Sequence, residues 1–194
     1  AVLTSCAAPA QGNQAAIPVR RMLYAVPGAV PTNYSWLVLG AMPTDVVWAG
    51  ARIARDGGLR GVGTAIAAMR RHGSIEKHDG QTTAPSPALK IHSGKRPAQH
   101  LLIGLDNVET GIQILTDPDT QKRSQNALLQ LVKDAPQIAG LQIDFEYVPA
   151  KYAGAFTDYI RTLRAVLPRE KALHVAVFPP VGMPEAWRGF HDLP

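Results

Sequence analysis

Short apolar runs alternate along the chain with segments whose apolar residues recur at helical spacing. Each short run stops at glycine, proline or a polar turn, which predicts a β-strand. The predicted strands cover 21–26, 45–49, 101–105, 141–148 and 173–178. Apolar strands that alternate with helices are typical of a parallel sheet. The fold class predicted from this pattern is therefore α/β.

Two of the intervening segments have strong helical features. In 150–167, one apolar stripe recurs every three or four residues, and Pro168 follows it directly. A second helix is predicted to begin with Asp117 as its N-cap and Pro118 in its first turn, and to end at Pro136.

The other connections are less regular. A short helix fits 64–72, with Thr64 as its N-cap. Residues 73–98 have no apolar period and are predicted to form a long loop. Asp106 and Asn107 follow the third predicted strand, where they either face a site or form a capping turn.

The fourth predicted strand carries polar side chains at every second position. Successive side chains of a strand point to opposite faces, so Gln142, Asp144 and Glu146 share one face. Two carboxylates about 6.6 Å apart in a partly desolvated site repel each other, which raises one pKa. A carboxylic acid that stays protonated near neutral pH can protonate a leaving group. The pattern predicts an acid–base site at the carboxyl end of a parallel strand; the alternative is a strand with one wet face.

The composition limits the classes of function. The 194 residues are 46% hydrophobic and 18% charged, which excludes a wholly disordered chain. The single cysteine excludes a disulfide framework and any zinc site built on several thiolates. The six histidines are dispersed without a His-Glu-x-x-His pattern, so no metal and no cofactor is expected.

The net charge of +5 is concentrated in one segment. Residues 52–100 hold nine Lys or Arg against three acids. Such a segment can contact an anionic polymer, and it is also typical of a solvated loop and helix face. Aromatic side chains are almost absent from it, so it lacks the stacking platform of a single-strand binder. No nucleic-acid partner is expected.

The first residues predict a membrane anchor. Leu3-Thr4-Ser5-Cys6 has the pattern of a bacterial lipobox, in which the cysteine becomes lipidated. The Ala-, Pro- and Gln-rich residues that follow are typical of a flexible tether. We therefore predict that residues 1–18 are a lipobox remnant and tether. Lipidation of Cys6 would place the protein outside the cytoplasm, at a membrane surface of the bacterial envelope. The alternative is a chance cysteine in a disordered leader.

The residues around the fourth predicted strand carry a family resemblance. The stretch 140–149, GLQIDFEYVP, is similar to the fourth-strand signature of the chitinase-like glycoside hydrolases of family 18, whose pattern is Asp-x-x-Asp-x-Asp-x-Glu. Within that family it is most similar to the bacterial cell-wall and spore-lytic branch. The resemblance covers about 101–180.

The resemblance implies a mechanism and its residues. Glu146 would be the general acid, and Asp144 would orient the 2-acetamido group of the substrate, whose carbonyl oxygen is the nucleophile. Gln142, together with Tyr24 on the first predicted strand, is a candidate substrate-binding residue. The pattern departs from the family at Ala139, where an Asp is expected, and at Gln142, where the spore-lytic branch tolerates an amide. The implied partners are chitin-like polysaccharides or the glycan of peptidoglycan.

The family fold is a (β/α)8 barrel of the TIM type, which takes about 250 residues. About five strands are predicted here, and the sixth-strand Met-x-Tyr element and the late tryptophan of the family are not found. We therefore predict that residues 19–194 form an incomplete barrel domain from a glycoside hydrolase, inactive as this fragment. The alternative is a non-catalytic glycan-binding envelope lipoprotein with a degenerate hydrolase barrel.

Overall fold

A computed structural model describes residues 20–27, 43–73 and 97–177 of the chain. The described residues form a six-stranded sheet and four α-helices. The strands are β1 (Met22–Ala25), β2 (Asp45–Ile53), β3 (Leu59–Arg60), β4 (Ala98–Leu105), β5 (Gly140–Ile143) and β6 (Ala172–Val175). The helices are α1 (Val62–Gly73), α2 (Val108–Thr116), α3 (Pro118–Asp134) and α4 (Ala153–Val166), the last preceded by a 3₁₀ turn at Ala150–Tyr152.

The sheet is parallel in the order β1-β2-β4-β5-β6, which confirms the predicted α/β class. Residues paired in a parallel register lie on the same face of a sheet. One face packs against the helices and forms the core, with Leu101, Ile103, Leu141 and Ile143 fully buried. We call the opposite face the inner face.

The inner face is concave. The side-chain amide of Gln142 on β5 donates a hydrogen bond of 2.8 Å to the hydroxyl of Tyr24 on β1. Two strands, β2 and β4, separate β1 from β5 in the sheet. A direct contact between side chains so far apart requires the sheet to curl with its helices outside, as the strands of a barrel do.

A bulge changes the course of β2. The strand was predicted to end at Ala49, but it continues to Ile53 because its pairing with β4 shifts between Trp48 and Ala51. The bulge requires a residue with positive φ, and Gly50 adopts it with φ of 117°. The extra residue places Arg52 on the inner face, opposite Gly104. Without the bulge, side chains would alternate strictly from Trp48 onward, and Arg52 would point toward the helices.

The short strand β3 was not predicted. It folds back antiparallel on β2, with Arg52 opposite Arg60. Gly61 ends the hairpin with φ of 71°, and a Cβ there would lie 2.0 Å from the carbonyl oxygen of Gly50. A glycine is therefore required where the chain leaves β3 and enters α1.

Two predicted helices are confirmed and a third needs correction. Helix α3 begins as predicted, with Asp117 accepting a hydrogen bond from the backbone amide of Asp119, and α4 follows the predicted apolar stripe. Helix α1 starts at Val62, so Thr64 lies inside its first turn and is not the N-cap. The predicted loop at 73–98 falls largely on residues outside the described ranges.

Helix α2 was missed, since it follows β4 after only two residues. Asn107 caps it, because its side chain accepts a hydrogen bond of 2.8 Å from the backbone amide of Thr110. The capping interpretation of Asn107 is therefore confirmed. Asp106 pairs with Arg60 at 3.5 Å. Both Asp106 and Asn107 also line a pocket at the carboxyl end of the sheet, as the site-facing interpretation predicted.

The fourth predicted strand is shorter than expected. β5 ends at Ile143, and residues 144–149 leave the sheet. Phe145 remains fully buried, but Tyr147 has φ of 61° and is 56% exposed. The prediction that the strand continues to residue 148 is therefore wrong. Asp144 and Glu146 lie in the turn that follows the strand.

A buried polar cluster occupies the amino end of the inner face. A hydrogen bond of 2.9 Å joins Asp45 Oδ1 to His100 Nε2, and both side chains are 1% exposed. Burial opposes the charge of Asp45, but hydrogen bonds from Thr44 and His100 and the charge of Arg20 outweigh it and hold the pKa of Asp45 below its usual value. The ring of His174 meets that of His100 edge-on, with centroids 4.9 Å apart.

Because His174 in this cluster has a lowered pKa, we expect the protein to lose stability in mild acid. Burial, the neighbouring His100 and the charge of Arg20 lower the pKa of His174, although Asp45 acts in the opposite direction. The unfolded chain then binds more protons at this position, so stability falls as the pH drops below about 6.5.

We expect His174→Gln to reduce the dependence of the free energy of unfolding on pH between about 7.5 and 5.5. Urea titrations of the full-length protein at a series of pH values measure this slope. The comparison uses only the slope, so a change in the overall stability of the variant does not affect it. An unchanged slope would contradict the attribution of the pH dependence to His174. Asp45 titrates in a lower pH range, because its pKa lies below its usual value.

Candidate active site

The two candidate catalytic carboxylates lie at the carboxyl end of the parallel sheet. β5 delivers the chain to Asp144, whose backbone amide donates to the carbonyl of Ile103 on β4 at 2.9 Å. The chain then turns outward, so Asp144 is partly buried and Glu146 is exposed. Both side chains line a pocket of about 330 Å³. The ends of β2 and β4 and the start of α2 supply the rest of its wall.

As the sequence predicted, one carboxyl group of the pair has a raised pKa. Burial, followed by the negative charge of Glu146, raises the pKa of Asp144. Burial penalises the charged form of a carboxyl group, and a second carboxylate nearby penalises it further. The carboxyl group whose pKa is raised is therefore Asp144, whereas the sequence analysis assigned the role of proton donor to Glu146.

Gln142 and Tyr24 lie together beside the pocket, toward the amino ends of the strands. Gln142 is only 3% exposed, while Tyr24 is 56% exposed and bonded to it. Gln142 precedes Asp144 by two residues and shares the inner face with it. The structure thus brings both candidate substrate-binding residues into one contact, but neither lines the pocket itself.

Arg52 and Gly104 were not identified by the sequence analysis as site residues, yet both line the pocket. They face each other in the register of β2 and β4. The only signal for Arg52 was its position at the start of the basic segment. Arg52 lies on the inner face because of the bulge in β2, and the spacing of apolar residues in the sequence gives no sign of that bulge.

Gly104 forms the floor of the pocket and offers a test of it. A Cβ at this position would lie 3.8 Å from the carbonyl oxygen of Asp144 and 4.0 Å from that of Ala51, both ordinary van der Waals contacts. The strand therefore tolerates a larger residue, while the additional methyl groups of a valine would occupy the pocket.

For the glycan substrate that the family resemblance implies, we expect Gly104→Val to lower kcat/KM of the full-length protein by about tenfold or more, because the valine displaces substrate from the carboxylates. The midpoint of thermal unfolding should change little. Gly104→Ala is the graded control and should give a smaller effect. Unchanged kinetics in the valine variant would show that substrate does not enter this pocket.

Other sequence-based expectations concern residues that the structure does not describe. Cys6 and the predicted tether lie outside the described ranges. Within those ranges, no group of three or more His, Cys, Asp or Glu side chains is arranged to hold a metal ion. No helix of the described residues is long and apolar enough to cross a bilayer.

The fold resembles those of solved chitinases and spore cortex-lytic enzymes. A class V chitinase from Pseudomonas fluorescens Pf-5 matches with a TM-score of 0.64 and 20% identity, over 88% of this chain and 48% of its own. The spore cortex-lytic enzyme SleL of Bacillus megaterium QM B1551 gives a TM-score of 0.59 and 15% identity, over 91% of this chain and 40% of its own. A chitinase from Chromobacterium violaceum ATCC 12472 gives a TM-score of 0.55 and 17% identity, over 81% of this chain and 45% of its own. No family model and no curated protein matches the chain.

These matches confirm the predicted fold class. The described residues form part of a (β/α)8 barrel of the TIM type, with five parallel strands and a sheet that they do not close. The resemblance to the chitinase-like and spore-lytic hydrolases is confirmed at the level of the fold. The chain spans less than half the length of these structures, between 40% and 48%.

Proposed function

We propose that the full-length protein is a glycoside hydrolase that acts on glycans containing N-acetylglucosamine. The observation that carries the proposal is the pair Asp144 and Glu146 in one pocket, at the carboxyl ends of parallel strands. Sites in barrels of this type are built at that end. The similar folds include chitinases and a spore cortex-lytic enzyme. The direct test is the release of reducing ends from such glycans by the full-length protein.

Glu146 acts as the general acid in the proposed mechanism. It gives its proton to the glycosidic oxygen as the bond between that oxygen and C1 of the sugar breaks. The carbonyl oxygen of the substrate's 2-acetamido group bonds to C1, so the sugar itself supplies the nucleophile. Glu146, now ionised, takes a proton from the water that opens the resulting ring, and this restores both groups.

Asp144 holds the acetamido group. When it ionises, its carboxylate accepts the acetamido N–H and stabilises the positive charge that develops on the ring. Its raised pKa fits this role, because it gains its charge most readily when a positive charge forms next to it.

In this proposal, Gln142 and Tyr24 position the site from the side of the pocket that faces the amino ends of the strands. The Gln142 amide is buried and held by the Tyr24 hydroxyl, so it presents a fixed polar group two residues before Asp144. A polar group fixed in this way restricts the position of substrate and of Asp144.

A second candidate is a glycan-binding protein that has kept the barrel without the chemistry. Ala139 favours it, because the signature of the family has an aspartate at this position. The two candidates differ in one measurement, since a binding protein would retain glycan without releasing reducing ends.

We also propose that the protein acts outside the cytoplasm, on the cell wall, anchored through a lipid on Cys6. The lipobox pattern at 3–6 is the feature that supports it. Mass spectrometry of the protein from its native membrane would detect the added acyl groups, and Cys6→Ser should release the protein from the membrane fraction.

A further inference from the structure

Two buried side chains anchor the turn that carries Glu146. Phe145 and Val148 stand on either side of the exposed pair Glu146 and Tyr147, and they are only 0% and 1% exposed. The chain therefore enters the core both before and after the general acid that the proposed function assigns. A side chain between two buried anchors takes its position from whatever packs against them.

The first anchor packs against α4. The ring of Phe145 contacts the rings of Phe156 and Tyr159, with centroid distances of 5.7 and 5.5 Å. Aromatic rings at such distances attract each other. Tyr159 is itself fully buried, and its hydroxyl forms a hydrogen bond of 3.2 Å with that of Ser124 on α3. The first anchor is therefore fixed to the layer of helices.

The second anchor packs against a glycine of α2. Gly111 lies inside the helix and is buried. Alanine would favour the helix more than glycine does, but a Cβ at this position would lie 2.8 Å from Cγ2 of Val148 and 2.6 Å from Cδ1 of Leu105. Both distances are too short for carbon atoms that are not bonded to each other. The close approach of Val148 therefore requires a glycine here.

A methyl group added at Gly111 would move the two neighbours to different extents. Leu105, at the end of β4, is only partly buried and can rotate its terminal methyl group away. Val148 is β-branched and stiff at its first side-chain torsion, and it is almost completely buried. Val148 therefore yields by moving its backbone, and this movement shifts the turn at Glu146.

Two further features confine the movement to the outer part of the turn. The backbone amide of Asp144 donates to the carbonyl of Ile103 at 2.9 Å, so Asp144 stays with the sheet. Tyr147 has φ of 61°, a strained conformation for a bulky residue that persists only where the surrounding structure enforces it. A shift of Val148 therefore changes the position of Glu146 relative to Asp144.

We propose that Gly111 is a positioning residue, which leaves room for Val148 and thereby sets the position of Glu146 relative to Asp144. Neither Gly111 nor Val148 lines the pocket, so their effect on the reaction passes through the turn. The inference rests on the proposed function and adds to it a residue that substrate does not touch.

Steady-state kinetics of the full-length protein test the inference. Gly111→Ala should lower kcat for an N-acetylated glycan by about tenfold, the effect of moving the general acid by somewhat under about 1 Å. KM should change by less than about twofold, because Asp144 and the rest of the pocket keep their places. Gly154→Ala is the matched control, since it makes the same change at an exposed helical glycine where a Cβ meets nothing within 4 Å. It should leave both constants unchanged.

A compensating substitution separates positioning from general damage to the fold. Val148→Ala removes the methyl group that the new Cβ would meet, and that Cβ fills part of the space. The double variant should therefore recover kcat to within about threefold of the original protein. A double variant no better than Gly111→Ala, a Gly111→Ala variant with full kcat, or a loss that appears in KM alone would overturn the inference.

A measurement without turnover separates the inference from the proposed hydrolysis. Burial and the charge of Glu146 raise the pKa of Asp144, and the effect of the charge depends on the distance between the two groups. NMR titration of the Asp144 carboxyl carbon should give a changed pKa in Gly111→Ala, and a value close to the original in Gly154→Ala and in the double variant. An unchanged pKa in Gly111→Ala would also overturn the inference. If the pKa values behave as expected but the protein without substitutions cleaves no glycan, the proposed hydrolysis fails and the positioning role of Gly111 stands.

Discussion

Replacing Glu146 by glutamine is expected to lower kcat for hydrolysis of an N-acetylated glycan by about 10³-fold in the full-length protein, the contribution of a positioned general acid. Glutamine keeps the size of the side chain and can still form hydrogen bonds, but it has no acidic proton to transfer to the leaving oxygen. KM should change little, because Glu146 is exposed at the edge of the pocket and contributes mainly as the bond breaks.

The measurement is the rate of reducing-end release under saturating substrate. Glu170→Gln provides the matched control, since Glu170 is an exposed glutamate in the turn before β6, at the amino end of the strand. A Glu146→Gln variant that retains full activity would remove Glu146 from the mechanism. An absence of activity in the protein without substitutions would favour the glycan-binding alternative.

Replacing Asp144 by asparagine is expected to lower kcat by about 10²-fold and to increase stability at neutral pH. The loss of rate follows from removing a charge that stabilises the transition state. The gain in stability follows from the raised pKa, since burial and the charge of Glu146 disfavour ionised Asp144 in the folded protein. Asparagine resembles the protonated acid and does not carry that penalty.

The sign of the pH effect follows from the same shift. The folded protein binds a proton at Asp144 more tightly than the unfolded chain, so this group stabilises the fold at low pH. That contribution is lost as the pH rises from about 3.9 through the pKa of Asp144 in the folded protein. The difference in unfolding free energy between Asp144→Asn and the original protein should therefore grow over this interval.

Chemical denaturation at several pH values measures the difference. Asp134→Asn, on the exposed end of α3, is a control that alters no pocket residue. A destabilised Asp144→Asn variant at neutral pH would show that the charge of Asp144 is compensated by a favourable partner.

The parallel sheet and the carboxylate pair were predictable because each depends on local pattern. Helices α3 and α4 have an N-cap, a proline or an apolar stripe that identifies them in the sequence alone. The alternation at 142–146 placed Asp144 and Glu146 together, and the structure puts both in one pocket. The expected rise of one pKa in the pair was also correct.

The parts that failed depend on tertiary contacts. The alternation at 141–148 was extended too far, because the sheet ends at Ile143 and Tyr147 adopts positive φ. The bulge at Gly50 moved Arg52 to the inner face, and a one-residue shift of this kind reverses every later side chain of a strand. Helix α2 was missed because it is only nine residues long and begins two residues after β4.

The strand order leaves both edges of the curved sheet open to further pairing. In the part of the chain that the structure describes, β1 and β6 each pair with a neighbouring strand on one side only. The backbone donors and acceptors of such an edge are a template for strand addition. Further strands that pair with β1 and β6 would therefore extend the curved sheet toward a closed barrel.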